Sequence, residues 1–458
     1  MKLFGHYVYL PIALLALLEY AMACLALAVA FLAAPALGLA SPIGPGILED
    51  ALFGAGSFFG MTAVGLYQAK QRLSIEGVVA RIVVALGIGG IGIALIEFLG
   101  VLDFHGRTVA LGFAIDLVLL CTTRAALWRW MDHEAFQRRV LVYGAGERAA
   151  SLLKLRRRSD RRGFNIVAFV QTPEAKTVMD DERVVALQES LVSYARVHNV
   201  DEIVVAMDDR RQGFPLDELL ACRFEGLAVV DLLAFLERET GKVMVDLVNP
   251  AWLIFSDGFN SHPGLRIATR VFDFVSALVL LIIALPFMLI VAIAITIEDG
   301  FPALFRQRRV GMGGKAFWLY KFRSMIKDAE ADGAARWATA ADKRITRVGA
   351  VIRKIRFDEL PQLFNVLIGN MSMVGPRPER PEFVQLLVQR IPYYHERHSV
   401  KPGITGWAQL CYPYGASDED ALEKLRFDLY YIKYRSLIFD LMVLLQTAEV
   451  VLWGKGAR

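Results

Sequence analysis

Long apolar runs punctuate this chain, and their spacing predicts its organisation. Residues 10–34, 51–68, 82–102 and 109–127 are each near the ~20 residues with which a helix crosses a bilayer. Glu19, Glu97 and Asp116 interrupt three of them, and the second is rich in glycine (Gly54, Gly56, Gly60, Gly65). A buried soluble helix would account for one such run but not for the group. Four transmembrane helices are therefore expected within residues 1–130. A fifth run, "FVSALVLLIIALPFMLIVAIAITI" at 274–297, carries no charge. Arg266 and Arg270 precede it, and Arg306, Arg308 and Arg309 follow it. A span here would carry a basic half across the membrane, against the rule that basic flanks stay cytoplasmic. Pro286 removes a backbone donor at its middle and crowds the preceding turn. The favoured reading is a broken helix over about 271–297 that enters and turns back; the alternative is a fifth span kinked at Pro286.

Between these apolar regions, residues 138–250 read as a soluble α/β unit. "RRVLVYGAGERAASLLKL" is a strand, then Gly144-x-Gly146-x-x-Ala149, then a helix. Such glycines let a phosphate approach a helix N-terminus. "FNIVAFV" (164–170) and "VDEIVVAM" (200–207) read as further buried strands. The acid expected at the end of the second strand for a ribose is absent; Gln171 and Thr172 stand there. A Rossmann-like module that binds nothing, or serves assembly or regulation, is favoured over a nucleotide site. The basic run Lys154 to Arg162 reads as a solvated or membrane-facing surface.

Composition supports the membrane reading. Of 458 residues, 55% are hydrophobic and 21% charged, which is apolar for a soluble protein. Lys70, Arg72 and Arg81 mark the 69–81 loop, Arg129, Arg138 and Arg139 follow the fourth run, and the 38–50 loop has no Lys or Arg. The N-terminus, the 69–81 loop and everything after 129 are thus expected on the cytoplasmic side. No basic start with a short apolar core marks a cleavable leader. The scattered Cys24, Cys121, Cys222 and Cys411 suggest neither a disulfide framework nor a metal cluster. A formal charge of +4 is too small to imply nucleic acid.

The candidate chemistry lies in the last third. Five Asp-Glu dipeptides occur, and context separates them. "LDELL" (216–220) has few cations nearby and reads as an amphipathic helix. "IRFDELPQLFN" (355–365) follows a stretch, 306–357, with 14 Lys/Arg against four acids. Such a stretch beside a membrane element suits a phosphorylated ligand at the bilayer surface, or an anionic-lipid anchor. Lys321 and Arg323 of "KFRSM" are candidate phosphate contacts. So is Arg377, fixed between Pro376 and Pro378, because arginine offers phosphate a planar fork. Asp358 is expected to cap the next helix, with Pro361 in its first turn, and to stay ionised as a nucleophile requires. Glu359, on a neighbouring face, is a candidate ligand for Mg²⁺. The residues alone leave open a structural ion-pair network.

"EDGFPALFRQRRVGMGGKAFWLYKFRSM", "IRKIRFDELPQLFNVLIGNMSMVGPRPERPEF" and "KPGITGWAQL" resemble the bacterial sugar transferases that begin exopolysaccharide and O-antigen synthesis. These are monotopic polyprenyl-phosphate glycosyl-1-phosphate transferases, and the resemblance covers residues 255–458. Four spans plus a Rossmann-like domain are similar to the family's long form. The opening "KLFGHYVYLP" and the ending "LYYIKYRSLIFDL…GKGAR" are similar to an exosortase-linked branch. The fold implied is a membrane helical bundle, an α/β Rossmann-like domain, and a mainly α phosphoglycosyl transferase domain (266–458) with a re-entrant membrane helix. The chemistry implied is attack of Asp358 on a UDP-sugar, loss of UMP, and transfer from a phosphosugar-aspartyl intermediate to polyprenyl (undecaprenyl) phosphate. By the same resemblance Glu359 and, less closely, Asp428 of "FDLYY" would meet Mg²⁺. Arg353 and Arg377 would contact phosphate, and Pro286 would break the re-entrant helix, although Leu285 replaces the usual Ser before it. The implied setting is the bacterial inner membrane, multi-pass, with the catalytic domain cytoplasmic; a homo-oligomer is compatible with it.

Two rivals make different demands. A membrane-bound nucleotide-sugar dehydratase needs Tyr-x-x-x-Lys, and no tyrosine here has Lys four residues on. A non-enzymatic scaffold needs neither the dyad nor Arg377. His395 and His398 have no third His or Cys nearby, and residues 437–452 read as an interfacial helix.

Overall fold

The computed structural model describes residues 2–3, 6–7, 10–39, 46–67, 75–100, 102, 104–131, 137–155, 160, 163–172, 181–209, 211, 213–248, 258–259, 262–327, 344–412, 415 and 417–453. Two compact units divide the chain. One comprises 1–68, 74–121 and 257–458; the other comprises 69–73 and 122–256.

In the first unit, two short strands, β1 (Lys2–Leu3) and β2 (His6–Tyr7), precede the helices α1 (Leu10–Ala33), α2 (Ile47–Ala63) and α3 (Ile75–Phe98) and the greater part of α4 (Gly106–Met131), whose residues from 122 on belong to the other unit. Segments 13–33, 77–98 and 106–126 are long and apolar enough to cross a membrane. The second expected span differs. Helix α2 has 17 residues and starts with Glu49 and Asp50 in its first turn. At ~1.5 Å per residue it is ~26 Å long, at the short end for a ~30 Å core. Its glycines make it a packing helix. A Cβ at Gly60 would lie 2.1 Å from the Ala85 carbonyl oxygen, and one at Gly89 would lie 2.9 Å from Gly56. Small residues let membrane helices approach this closely. Arg81, expected in a basic loop, is instead buried within α3, where it donates to the Val64 carbonyl at 2.6 Å. A donor is needed there because the last carbonyls of α2 have no partner within their own helix.

The second unit is a five-stranded parallel sheet: β3 (Arg138–Tyr143), β4 (Phe164–Val170), β5 (Val184–Val185), β6 (Glu202–Val205) and β7 (Ala228–Asp231), in the order β5-β4-β3-β6-β7. Strand β3 pairs with both β4 and β6, so the strand order reverses beside it. Its run of buried apolar residues, Val140 to Tyr143, is what a parallel strand covered on both faces requires. Helices α5 (Glu147–Leu153), α6 (Leu191–Val197), α7 (Leu216–Phe224) and α8 (Leu232–Thr240) complete the Rossmann-like layers. The "LDELL" pair falls on α7, where Glu218 accepts from the Leu191 amide at 3.0 Å and joins α7 to α6.

The C-terminal part of the first unit begins with α9 (Pro263–Asp299), a 37-residue helix that continues through Pro286, so the expected break there does not interrupt it. Ile282, Ile283, Leu285, Leu289 and Ile290 are each more than half exposed, an apolar surface that water would disfavour and lipid would accept. Both ends of α9 are tied to one body. Near its start, Arg270 donates to the carbonyls of Val366 and Leu367, and Asp273 accepts from Ser372 and the Met373 amide. Near its end, Met288, Val291 and Ile295 pack with Phe322 and Ile352, and Glu298 accepts from the amides of Arg347 and Val348. The hairpin β8 (Leu304–Val310) and β9 (Ala316–Phe322) follows. Then come α10 (Arg347–Lys354), α11 (Gln362–Ile368), β10 (Ser372–Val374), α12 (Pro381–Arg390), β11 (Gly403–Thr405), α13 (Trp407–Cys411), α14 (Asp418–Tyr434) and α15 (Leu437–Trp453). Strands β10 and β11 pair in parallel and bring "VGPRP" beside "PGITG".

Candidate active site

Local chain geometry builds the dyad. Helix α10 opens on Thr346, whose hydroxyl accepts from the Gly349 amide at 2.9 Å. It ends before Arg356, which takes a left-handed conformation (φ +61°). That reversal starts a 3₁₀ turn, Phe357–Glu359, and the turn carries both carboxylates. The N-cap of α11 is Pro361, with no capping side chain, so Asp358 does not cap that helix as expected. Asn365 then fixes the turn against β9: its side chain accepts from the Tyr320 amide at 3.1 Å and donates to the Trp318 carbonyl at 2.7 Å.

This docking brings Lys321 to Glu359. Lys321 Nζ lies 3.2 Å from Glu359 Oε1, and Arg377 Nη2 lies 2.6 Å from the same oxygen. Glu359 is 8% exposed. The Arg377 and Lys321 charges overcome burial and hold its pKa far below the ordinary carboxylate value. Burial lowers the Lys321 pKa, although Glu359 opposes it. The half-buried Asp358 behaves in the opposite way to Glu359. Burial raises its pKa more than Lys321, Arg377 and Arg353 lower it, and the neighbouring Glu359 adds to the rise. Desolvation is thus the largest effect on its ionisation, ahead of the surrounding positive charge.

The structure therefore brings Asp358, Glu359, Lys321 and Arg377 together, with Arg353 acting on Asp358 through its charge. Arg323 is placed elsewhere. Only 7% exposed, it donates to the carbonyls of Asp299, Gly300 and Pro302 and pairs with the Asp299 carboxylate at 3.1 Å. It closes the C-terminus of α9. Asp428, 2% exposed, is paired with Arg397 at 2.8 Å, and burial pushes its pKa up to about 6.

Sequence reasoning missed Arg397 and Arg309. Arg397 sits inside "YYHERH", where the histidines draw attention, and Arg309 is one of many cations in its stretch. Burial holds His398 down at about 4, so it is neutral near pH 7. Among the described residues, no group of three or more His, Cys, Asp or Glu could hold a metal. Mg²⁺ commonly uses one or two carboxylates plus substrate phosphates. Glu359 fits that donor set together with substrate phosphates; Asp428 pairs with Arg397 through Oδ2.

The middle unit holds a second anion-facing feature. Gly144 has φ +128°, and a Cβ there would lie 2.6 Å from the Ala206 carbonyl oxygen, so the tight turn needs glycine. At Gly146 a Cβ would lie 1.9 Å from Asp208 Oδ2. The Asp208 carboxylate accepts from the amides of Glu147 (3.0 Å) and Arg148 (2.8 Å) at the start of α5. An aspartate of the chain thus stands where a phosphate would.

Comparison with known proteins places this geometry. A family model described as bacterial sugar transferase matches residues 265–454, and one described as a CoA-binding domain matches 62–213. A Xanthomonas campestris pv. campestris protein named UDP-glucose:undecaprenyl-phosphate glucose-1-phosphate transferase is 30% identical over 369 residues, covering 76% of this chain and 74% of that protein. The chain belongs to the bacterial sugar transferase family. Within the family, a protein of the same name from Escherichia coli (strain K12) is 33% identical over 331 residues, 69% of this chain and 68% of that one. An Aeromonas hydrophila protein named UDP-N-acetylgalactosamine-undecaprenyl-phosphate N-acetylgalactosaminephosphotransferase is 39% identical over 259 residues, 56% of this chain and 60% of that protein. The dyad, Lys321 and Arg377 all lie in the matched transferase region, and the Gly144–Gly146 turn and Asp208 lie in the CoA-binding match.

Proposed function

We propose that this chain transfers a sugar 1-phosphate from a UDP-sugar to polyprenyl phosphate through an aspartyl intermediate. The observation that carries this reading is the turn 357–359. It sets a half-buried aspartate beside a glutamate held by Arg377 and Lys321. An Asp358 oxygen attacks the phosphorus next to the sugar; the bond to the UMP phosphate breaks and UMP leaves with the electron pair. A polyprenyl phosphate oxygen then attacks the same phosphorus and releases Asp358. Arg377, Lys321 and Arg353 offset the charge of the diphosphate and orient it. Mg²⁺, held by Glu359, would neutralise charge on the departing phosphate.

The names of the relatives support a UDP-sugar donor and an undecaprenyl acceptor. Both ends of α9 tied to the same domain support both ends lying on one side of the bilayer, with the site at the cytoplasmic surface of the inner membrane. Initiation of exopolysaccharide or O-antigen-type glycans follows from that chemistry. The exosortase-linked branch rests on sequence resemblance at the two chain ends. The test is UMP release from a panel of UDP-sugars with Mg²⁺ and polyprenyl phosphate, comparing wild type with Asp358→Asn. Release from one donor, lost in the variant, is the expected result. Release that survives in the variant would remove the covalent step.

A further inference from the structure

We infer that Arg397 and Arg309 are positioning residues that aim Arg377 at the dyad, and that Asp428 serves as the anchor of Arg397. This rests on the proposed role of Arg377 at the diphosphate.

Four consecutive carbonyls around Arg377 each accept a hydrogen bond. The Pro376 carbonyl accepts from the Gly403 amide at 3.0 Å, and the Glu379 carbonyl from the Val310 amide at 2.9 Å. Between them, the Arg377 carbonyl accepts from Arg397 Nη2 at 3.1 Å and the Pro378 carbonyl from Arg309 Nη1 at 3.0 Å. Pro376 and Pro378 have fixed φ and no amide hydrogen, so at those two positions a backbone hydrogen bond can be made only through the carbonyl. The two central ones are held by guanidinium groups. The loop is thereby fixed while the Arg377 side chain points at Glu359.

Arg397 is itself held on several sides. It is 5% exposed. Its Nη1 donates to the Tyr394 hydroxyl at 2.7 Å, its Nη2 to Asp428 Oδ2 at 2.8 Å, and its guanidinium lies 5.1 Å from the Tyr394 ring centre. A buried guanidinium without a carboxylate would be strongly unfavourable, which explains the buried acid on α14. Arg309 donates to Gln307 Oε1 at 2.6 Å and lies 3.7 Å from Glu379. Neither arginine needs to touch substrate. Each holds a carbonyl of the loop that carries the arginine facing the dyad.

The experiment is a pair of double-mutant cycles on UMP release in the full-length membrane-embedded protein: Arg397→Gln with Arg377→Lys, and Arg309→Gln with Arg377→Lys. Misplacing a catalytic group by ~1 Å costs about a hundredfold. Arg397→Gln and Arg309→Gln should each lower kcat/KM on that order in the wild-type background and cost at most about threefold beside Arg377→Lys. Arg397→Lys, which keeps the charge without the fork, should recover part of the loss. Asp428→Asn should lower kcat/KM as Arg397→Gln does and leave the Mg²⁺-induced change in melting temperature as in wild type. If Arg397→Gln does not fold, the Arg309 cycle and Arg397→Lys carry the test. Losses that multiply in both cycles would overturn the inference. So would a Mg²⁺ response of the melting temperature abolished by Asp428→Asn, which would return that residue to the metal. If Arg377→Lys alone leaves UMP release unchanged, the reading of the site fails instead.

Discussion

Two regions of this chain carry the signature of a phosphate site, and they meet opposite fates. In the middle unit, the Gly144–Gly146 turn offers the amides at the head of α5, and the Asp208 carboxylate takes them. In the transferase domain, the Pro376–Pro378 loop offers Arg377, which faces Glu359 beside a second carboxylate, Asp358. Both regions pair a donor with an acid of the chain. They differ in what the acid can do. The Asp208 carboxylate satisfies two backbone amides and fills the glycine space. Glu359 shares its cations with a neighbouring aspartate whose pKa burial raises. A motif states which donors the backbone can present; the acid that meets them decides whether the place is filled or reactive.

The largest expected effect falls on the reactive side. Asp358→Asn should lower UMP release by about three orders of magnitude or more, whereas Asp208→Asn should leave it at the wild-type rate. Equal losses in steady-state assays would erase the comparison. Next, Arg377→Lys removes the planar fork and should cost about a hundredfold in kcat/KM, the scale of losing one oriented donor.

The pH dependence sharpens the contrast between Asp358 and Glu359. Attack requires the Asp358 carboxylate, and burial raises its pKa above the ordinary 3.8. Below that raised pKa the carboxyl is protonated and cannot attack, so kcat/KM should fall with acid at a midpoint above 3.8. Glu359, held far below its ordinary value, should contribute no limb in this range. A profile flat down to pH 4 would contradict the assignment. The effect on the middle unit is smaller. Asp208→Ala leaves the Glu147 and Arg148 amides without their acceptor and should cost about 1 kcal/mol of stability, as loss of a helix cap does. The smallest effect is expected from ligands: millimolar ADP or CoA should leave the wild-type melting temperature unchanged. A ligand-dependent rise would show that the Asp208 carboxylate yields to phosphate.

Much of this was legible in the order of residues. Apolar length marked the membrane helices, because covering ~30 Å of hydrocarbon requires ~20 apolar residues in a row. The strand, glycine turn and helix marked the Rossmann-like unit, because turn conformation and strand burial are local demands. The Asp358–Glu359 pair stood out from four other Asp-Glu dipeptides through its cationic neighbourhood and the arginine between two prolines.

Which charge meets which was decided by tertiary structure. Arg323 has the same type and nearly the same position as Lys321, yet Lys321 reaches Glu359 while Arg323 closes the end of α9. Lys321 lies within β9 and Arg323 just beyond its end, and the tertiary partners each meets, Glu359 for one and the last carbonyls of α9 for the other, separate them. Arg81 resembled a loop cation and is buried in α3; Asp428 resembled a metal ligand and is bound to Arg397. The sequence by itself determined the elements and singled out the Asp358–Glu359 pair, because hydrophobic length, turn geometry and local charge density are properties of neighbours along the chain. Only the tertiary structure decided the partners of each charge, because a buried ion pair joins groups far apart in sequence and its energy depends on a few ångströms that no local pattern encodes.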